Sequence, residues 1–263
     1  VTRIWYTPEE LVQLGFARSP VVMLNEAHKG QQRCLRTRLV GRRVLPVAHA
    51  AGARFLALEA LHPEVAEFAN SSRSLPPVTA GYFAQAEMQA LVHAALELGW
   101  TLIPYEANGL RYFDPEAARL QPARLSKKEA TFLARHQRTL LSLSYTNWRE
   151  QQQAENLIRA FVQLPRRSRM LVWCGNSHLY KQPLGRWQPM GYHFHRLSGI
   201  EAFAIDQTTT VQFSPLLGIV NALRLWPIAH VLGHHGGTAG YLLPSRRRSG
   251  VDALLLSLHN GME

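Results

Sequence analysis

Apolar and polar positions alternate along this chain on two scales. Four short apolar runs recur: VVML (21–24), FLAL (55–58), TLIPY (101–105) and MLVWC (170–174). Each is too short for a helix and none alternates strictly in polarity, which is the pattern of strands covered on both faces, as in a parallel sheet. Longer helical patterns lie between them. Residues 31–51 and 82–98 precede the second and third runs, and 127–142 and 147–164 precede the fourth. Gly52 and Gly99 stand where helices should stop. Strand–helix alternation implies right-handed crossovers. The expectation is an α/β fold, a central and mainly parallel sheet flanked by helices on both faces. It forms one domain over residues 1–263, with a C-terminal helix-and-strand portion from about residue 201.

The runs end in a consistent way. The first ends in Asn25-Glu26-Ala27-His28, the second at Glu59, the third at Glu106 and the fourth in Gly175-Asn176-Ser177-His178. In open parallel sheets the strand C-termini share one edge, and ligands bind in the crevice outside it. Three carboxylates and two imidazoles are therefore expected around one crevice. If the chain stays extended after the first run, Glu26 and His28 point to the same side. A lone glutamate at a strand end is ordinarily a solvated loop residue or a helix cap; five acid and imidazole groups under one topological rule make a candidate site. Arg149, Gln153 and Asn156 share a helix face at i, i+4, i+7. Spacing leaves open whether that face meets the crevice or water.

At 46% hydrophobic residues over 263, the chain can bury a large core. Net charge is +11, and 25 of the 29 basic residues are arginine. They cluster at Arg33/Arg36/Arg38/Arg42/Arg43, Arg166/Arg167/Arg169 and Arg246/Arg247/Arg248. No aromatic residues interleave to stack on bases and no nucleic-acid signature accompanies them, so solvated arginines are the default and nucleic acid is not an expected partner. Cys34 and Cys174 suggest neither a disulfide framework nor a four-ligand zinc site. Residues 216–232 come nearest to a membrane span, but Arg224 and Pro227 interrupt them. They read instead as a buried or lid-like helix kinked at Pro227. A soluble protein is expected, with the cytoplasm favoured and a removed leader compatible with the start at Val1. Gly233-His234-His235-Gly236-Gly237 reads as a mobile loop, His193 and His195 as part of an edge strand or a helix start, and 253–258 as the last strand.

Several segments, in order, resemble the erythromycin-esterase-like family, within the wider grouping that includes Tiki/TraB hydrolases and ChaN-type haem-binding proteins. They are NEAH, FLALE, REQQQAEN (149–156), MLVWCGNSH, PMGYHF (189–194) and VDALLLSL (251–258). The resemblance implies Glu26, His28, Glu59 and His178 as the central site, with Arg149 and Asn156 in support. An arginine early in the first long helix also belongs to the pattern, and Arg33 or Arg36 fits that place. Glu106 and Asn176, at the ends of the third and fourth runs, join Arg33, Arg36 and Asn156 as candidate substrate-binding residues. Two departures stand out. Asn25 occupies a position where the first motif usually has glycine, and the fourth run carries one histidine, like the G-x-x-H of the Tiki/TraB branch. The chain is also short for a macrolide esterase.

These residues imply hydrolysis of an ester or amide. No G-x-S-x-G elbow is present and neither cysteine has a nucleophile's setting, so water is the expected attacking group. His28, oriented by Glu26 or Glu59, is the candidate general base. His178 or a nearby arginine is the candidate for stabilising the oxyanion and protonating the leaving group. His28, His178, Glu26 and Glu59 could alternatively hold one divalent metal ion, as the Tiki branch implies. The esterase branch points to metal-independent or metal-optional hydrolysis, which is favoured. The competing class is a haem or iron carrier of the ChaN type, in which Tyr105, His193 or His195 meets the ligand. Substrate and oligomeric state are not legible.

Overall fold

The computed structural model describes residues 4–29, 32–33, 35–77, 81–209, 223–244 and 250–258, with the side chains of 28, 29, 32 and 33 excepted. A seven-stranded sheet forms its centre. In spatial order it runs β5 (Thr101–Pro104), β4 (Ala53–Leu58), β6 (Arg169–Gly175), β1 (Val21–Glu26), β7 (Phe203–Asp206), β9 (Ala253–Ser257) and β8 (Thr238–Leu242). All neighbours pair in parallel except β8, which closes the edge antiparallel to β9. The expected α/β architecture is thus present. β1 is central and every one of its residues is buried, which explains its unbroken apolar run: both faces need apolar cover.

Side-chain alternation divides the core between two helical layers. Val22 and Leu24 of β1, with Leu56 and Trp173, pack in one cluster under α1 (Pro8–Arg18), α2 (Leu35–Ala50) and α4 (Ala86–Glu97). Val21 and Met23, with Ala57, Val172 and Cys174, pack in the other against α7 (Leu143–Val162) and α8 (Met190–Ser198). Between β4 and β5 the chain also makes α3 (Pro63–Ser72). Gly52 and Gly99 take left-handed φ of 92° and 76° directly after α2 and α4, as expected of helix stops.

Several boundaries differ from the sequence expectation, each for a local reason. The helix expected from residue 31 starts at Leu35, where its apolar period begins. Before it, β2 (His28–Lys29) and β3 (Gln32–Arg33) form a small antiparallel hairpin with His28 opposite Arg33. The segment 127–142 breaks at His136 into α5 (Lys127–Arg135) and α6 (Gln137–Leu140), and neither helix buries a residue. α7 starts at Leu143 rather than 147 because the Ser142 side chain caps it, accepting from the Tyr145 N–H. His193 and His195 lie within α8. Of residues 216–232, those from 223 fall within the described part; a 3-10 turn at Trp226–Ile228 leads into α9 (Ala229–His234). Gly236 and Gly237, of the expected loop, connect α9 to β8. Cys34 and the arginine triplet 246–248 lie outside the described residues. Among the described residues no helix is long and apolar enough to cross a membrane.

Candidate active site

The C-terminal ends of β4, β5 and β6 deliver Glu59, Glu106 and His178 to the same edge of the sheet, and α7 runs along that edge. Of its five buried positions, Glu150, Gln153, Ala154 and Leu157 fall at i, i+3, i+4, i+7, a core stripe in which the first two members are polar, and Asn156 lies beside it. Arg149 sits beside that stripe and reaches the strand ends. The helix face left open by spacing therefore meets the crevice.

Arg149 is the hub. Its Nη2 lies 2.8 Å from Glu59 Oε1 and 2.6 Å from Glu106 Oε2, and its Nε donates to Glu106 Oε1 at 2.9 Å. Glu106 Oε1 also accepts from Gln153 Nε2 at 3.0 Å and from the Ala107 N–H at 2.8 Å. One turn further along α7, the Asn156 amide donates to the backbone carbonyls of Tyr105 (3.3 Å) and Glu106 (3.1 Å). Asn156 thus latches the end of β5 to the helix; its amide nitrogen is spent on backbone and its Oδ1 accepts from Arg159 Nη1 at 3.2 Å.

His178 is clamped between carboxylates on two sides. Its Nδ1 is 2.6 Å from Glu150 Oε1, and its Nε2 is 3.7 Å from Glu59 Oε1. The Glu150 oxygen lies off the ring N–H direction, which makes the contact a close ion pair rather than an aligned hydrogen bond. Glu150 Oε2 accepts from the Met190 N–H at 2.6 Å, at the start of α8. Burial alone would depress the imidazole, but the Glu150 and Glu59 carboxylates outweigh it, and His178 is pushed up from 6.5 to about 9. Burial alone would raise Glu59. The His178 and Arg149 charges and the Gly175 N–H, which donates to Oε2 at 2.5 Å, hold it well below the usual carboxylate range. Glu59 and His178 thus each favour the other's charged form, beside the Arg149 guanidinium. The Trp187 ring meets His178 edge-on at 5.6 Å.

Glu26 is placed differently from the expectation. Strand alternation puts it on the α2 side, where Arg38 Nε donates to its Oε2 at 2.8 Å, both side chains fully buried, and Trp173 Nε1 adds a bond of 3.3 Å. Its carboxylate belongs to this second network rather than to that of Glu59 and His178. Within α2 it is Arg38 that meets this strand-end carboxylate. Arg36 instead reaches β8, donating to Thr238 Oγ1 at 2.9 and 2.7 Å and to the Gly236 carbonyl at 2.8 Å. The side chains of His28 and Arg33 lie outside the described residues. Asn176, with a left-handed φ of 39°, donates its N–H to the Glu26 carbonyl at 2.6 Å. The Asn25 amide holds the Asn176 carbonyl in turn.

Of the four residues proposed for a metal, the side chains of Glu26, Glu59 and His178 are described and that of His28 is not. Among the described residues no three His, Cys, Asp or Glu side chains are arranged to hold a metal ion, and Glu26 and Glu59 are each already bonded to a guanidinium. Tyr105 is fully buried and donates to the Trp173 carbonyl at 2.9 Å, and burial pushes its hydroxyl well above its ordinary range. It is not presented to a haem. His195 pairs with Glu201 at 3.2 Å, and His193 is buried in α8.

Sequence reasoning missed Glu150 and Arg38. Both carried a readable signal, a charged residue standing on the apolar stripe of its helix. It also missed His62, three residues beyond Glu59, which had no pattern to mark it.

No family model matches the chain, and no curated protein matches it. Solved structures do. The protein is similar to a mutant erythromycin esterase, EreC, in its open conformation, at 13% identity and a TM-score of 0.57, covering 98% of both chains. It is similar to ChaN of Campylobacter jejuni, described with cofacial heme binding, at 10% identity and a TM-score of 0.51, covering 94% of this chain and 91% of that one. RRSP, a MARTX toxin effector domain from Vibrio vulnificus, aligns at 12% identity and a TM-score of 0.45 over 78% of this chain; the protein spans only 36% of that toxin chain. At these identities the likeness is one of fold, shared with esterase and haem-binding structures.

Proposed function

We propose that the protein is a hydrolase that cleaves an ester or amide bond with water as the nucleophile. The observation that carries this reading is the placement of His178 between the Glu150 and Glu59 carboxylates, beside Arg149. A buried cation with a proton to give suits an acid that protonates the leaving group. Arg149 uses Nε and Nη2 on carboxylates, and its Nη1 makes no bond among the described residues. That nitrogen is the proposed donor to the carbonyl oxygen as it gains charge, fixed beforehand by the two carboxylates. Glu59 is held too far down to serve as a base at neutral pH, so its role is to orient Arg149 and His178. His28 is proposed as the base that takes the proton from water. No step is routed through a metal or a haem.

The test is turnover of a panel of chromogenic esters, lactones and anilides by purified protein beside His178→Asn. Hydrolysis reduced at least about a hundredfold in the variant is the expected result. No turnover on any class, or turnover indifferent to His178→Asn, would overturn the reading.

A further inference from the structure

Next to the charged network lies a cavity of about 410 Å³, toward the lower end of the roughly 300–1,000 Å³ range of small-molecule sites. Ala60 and His62 line it from the chain after β4, Glu106 from the end of β5, and Tyr145, Thr146 and Arg149 from the first turns of α7. Arg149 and Glu106 are common to this cavity and to the proposed hydrolytic site.

Two side chains on the wall are held in place by the protein yet keep a polar atom uncommitted. His62 Nδ1 is 3.3 Å from the Gln121 carbonyl. A carbonyl only accepts, so Nδ1 carries the hydrogen, and the tautomer so fixed offers Nε2 as an acceptor. Tyr145 is packed edge-on against Tyr112 at 5.2 Å and lies beside Trp148 at 5.6 Å. It passes so close to Gly109 that a Cβ there would lie 2.8 Å from its hydroxyl. That hydroxyl has no hydrogen-bond partner among the described residues. Ala60 adds a third sign of a shaped wall. It holds a left-handed φ of 59° without being glycine, a strained conformation of the kind that clusters at binding sites. It is the residue that turns the chain between Glu59, facing Arg149, and His62, on the cavity wall.

Arg149 is paired with both Glu59 and Glu106, so an anion meets no unopposed positive charge there, and both carboxylates already face the guanidinium. What remains, besides the nitrogen assigned to the carbonyl oxygen, is one acceptor (His62 Nε2), a hydroxyl that both donates and accepts (Tyr145) and the ring that carries it. We propose that this cavity binds a neutral, hydroxylated group, a sugar or polyol, attached to the scissile bond, and that His62 and Tyr145 select it. The link to a scissile bond rests on the hydrolase reading; the subsite itself does not.

The experiment compares methyl 6-O-acetylglucoside with cyclohexylmethyl acetate, a near-isostere without hydroxyls. The sugar ester is expected to show a kcat/KM at least about tenfold higher, since one hydrogen bond to a bound hydroxyl is worth about that factor. Tyr145→Phe, which removes one oxygen from a half-buried ring, and His62→Leu should each shrink that preference about fivefold or more, mainly through KM. A preference near one, or one that neither substitution moves, overturns the proposal. If neither ester is hydrolysed, the wider panel decides the hydrolase reading and the subsite is judged by titrating methyl glucoside alone and following tryptophan fluorescence. Saturable binding weakened in Tyr145→Phe then supports it, and no binding, or binding that variant leaves unchanged, overturns it.

Discussion

Glu150 joins two elements through one carboxylate: Oε1 lies 2.6 Å from His178 Nδ1 and Oε2 accepts the Met190 N–H at 2.6 Å. The group that keeps His178 charged is therefore itself fixed by the start of α8. Glu150→Gln keeps the shape and removes the charge. The His178 imidazole should then titrate well below its present value of about 9, which histidine ring NMR across pH 5–10 would report. An unmoved titration would show that Glu150 is not what raises it. The change should cost about 3 kcal/mol of stability, because a buried cation loses its nearest partner.

Stability should fall on both sides of a window set by these two groups. His178 is raised in the folded state from 6.5 to about 9. Its contribution is complete below pH 6.5 and is lost as pH rises through 9, a loss on the order of 3 kcal/mol. Glu59 is depressed from 4.5, so its contribution is complete above pH 4.5 and is lost as pH falls below that. Urea unfolding from pH 4 to 10 should thus show a maximum near pH 5–6.5, and His178→Asn should flatten the alkaline limb. If the alkaline limb keeps its slope in the variant, another group causes it.

The Arg38–Glu26 pair is buried completely on both sides. Arg38→Met leaves a carboxylate in the core with the Trp173 N–H still on it. Loss of about 3–5 kcal/mol is expected in denaturant unfolding. A loss under about 1 kcal/mol would mean that the carboxylate takes a proton or water at little cost.

Why the sequence led to one network and not the other follows from phase. The runs ending in Glu59, Glu106 and His178 were readable because doubly covered strands are continuous apolar blocks, and a polar residue closing such a block is conspicuous. Arg38 was hidden in a cluster of five arginines. Its significance depends on α2 starting at Leu35, which puts Arg38 on the same buried stripe as Gly41, Leu45 and Ala48. Counting the helix from residue 31 gave no reason to prefer it over Arg33 or Arg36. β7 and β8 were missed for a different reason. Phe203–Asp206 is as short as the first two runs but closes on Asp206, leaving three apolar residues within the strand, and β8 is an edge strand with two half-buried positions.

Asn25 occupies the place where the family resemblance usually has glycine, and the structure gives it work that glycine cannot do. It is fully buried. Its amide nitrogen donates to Asp206 Oδ1 at 2.8 Å and to the Asn176 carbonyl, while its Oδ1 accepts the Gln207 N–H at 2.8 Å. One side chain thus ties the end of β1 to the end of β7 and to the turn that carries His178. Asn25→Gly leaves the Gln207 N–H without its acceptor and the Asn176 carbonyl without this donor. A loss of about 2–4 kcal/mol is expected from those unmet groups. A merely structural tie would stop there. Because Asn176 opens the turn to His178, the His178 titration should also shift downward as the ring loosens from Glu150, and Asn25→Asp, which keeps an acceptor for Gln207 but sets a second carboxylate against Asp206, should not restore it. An Asn25→Gly protein of unchanged stability with His178 still titrating near 9 would show that the turn holds its place without Asn25.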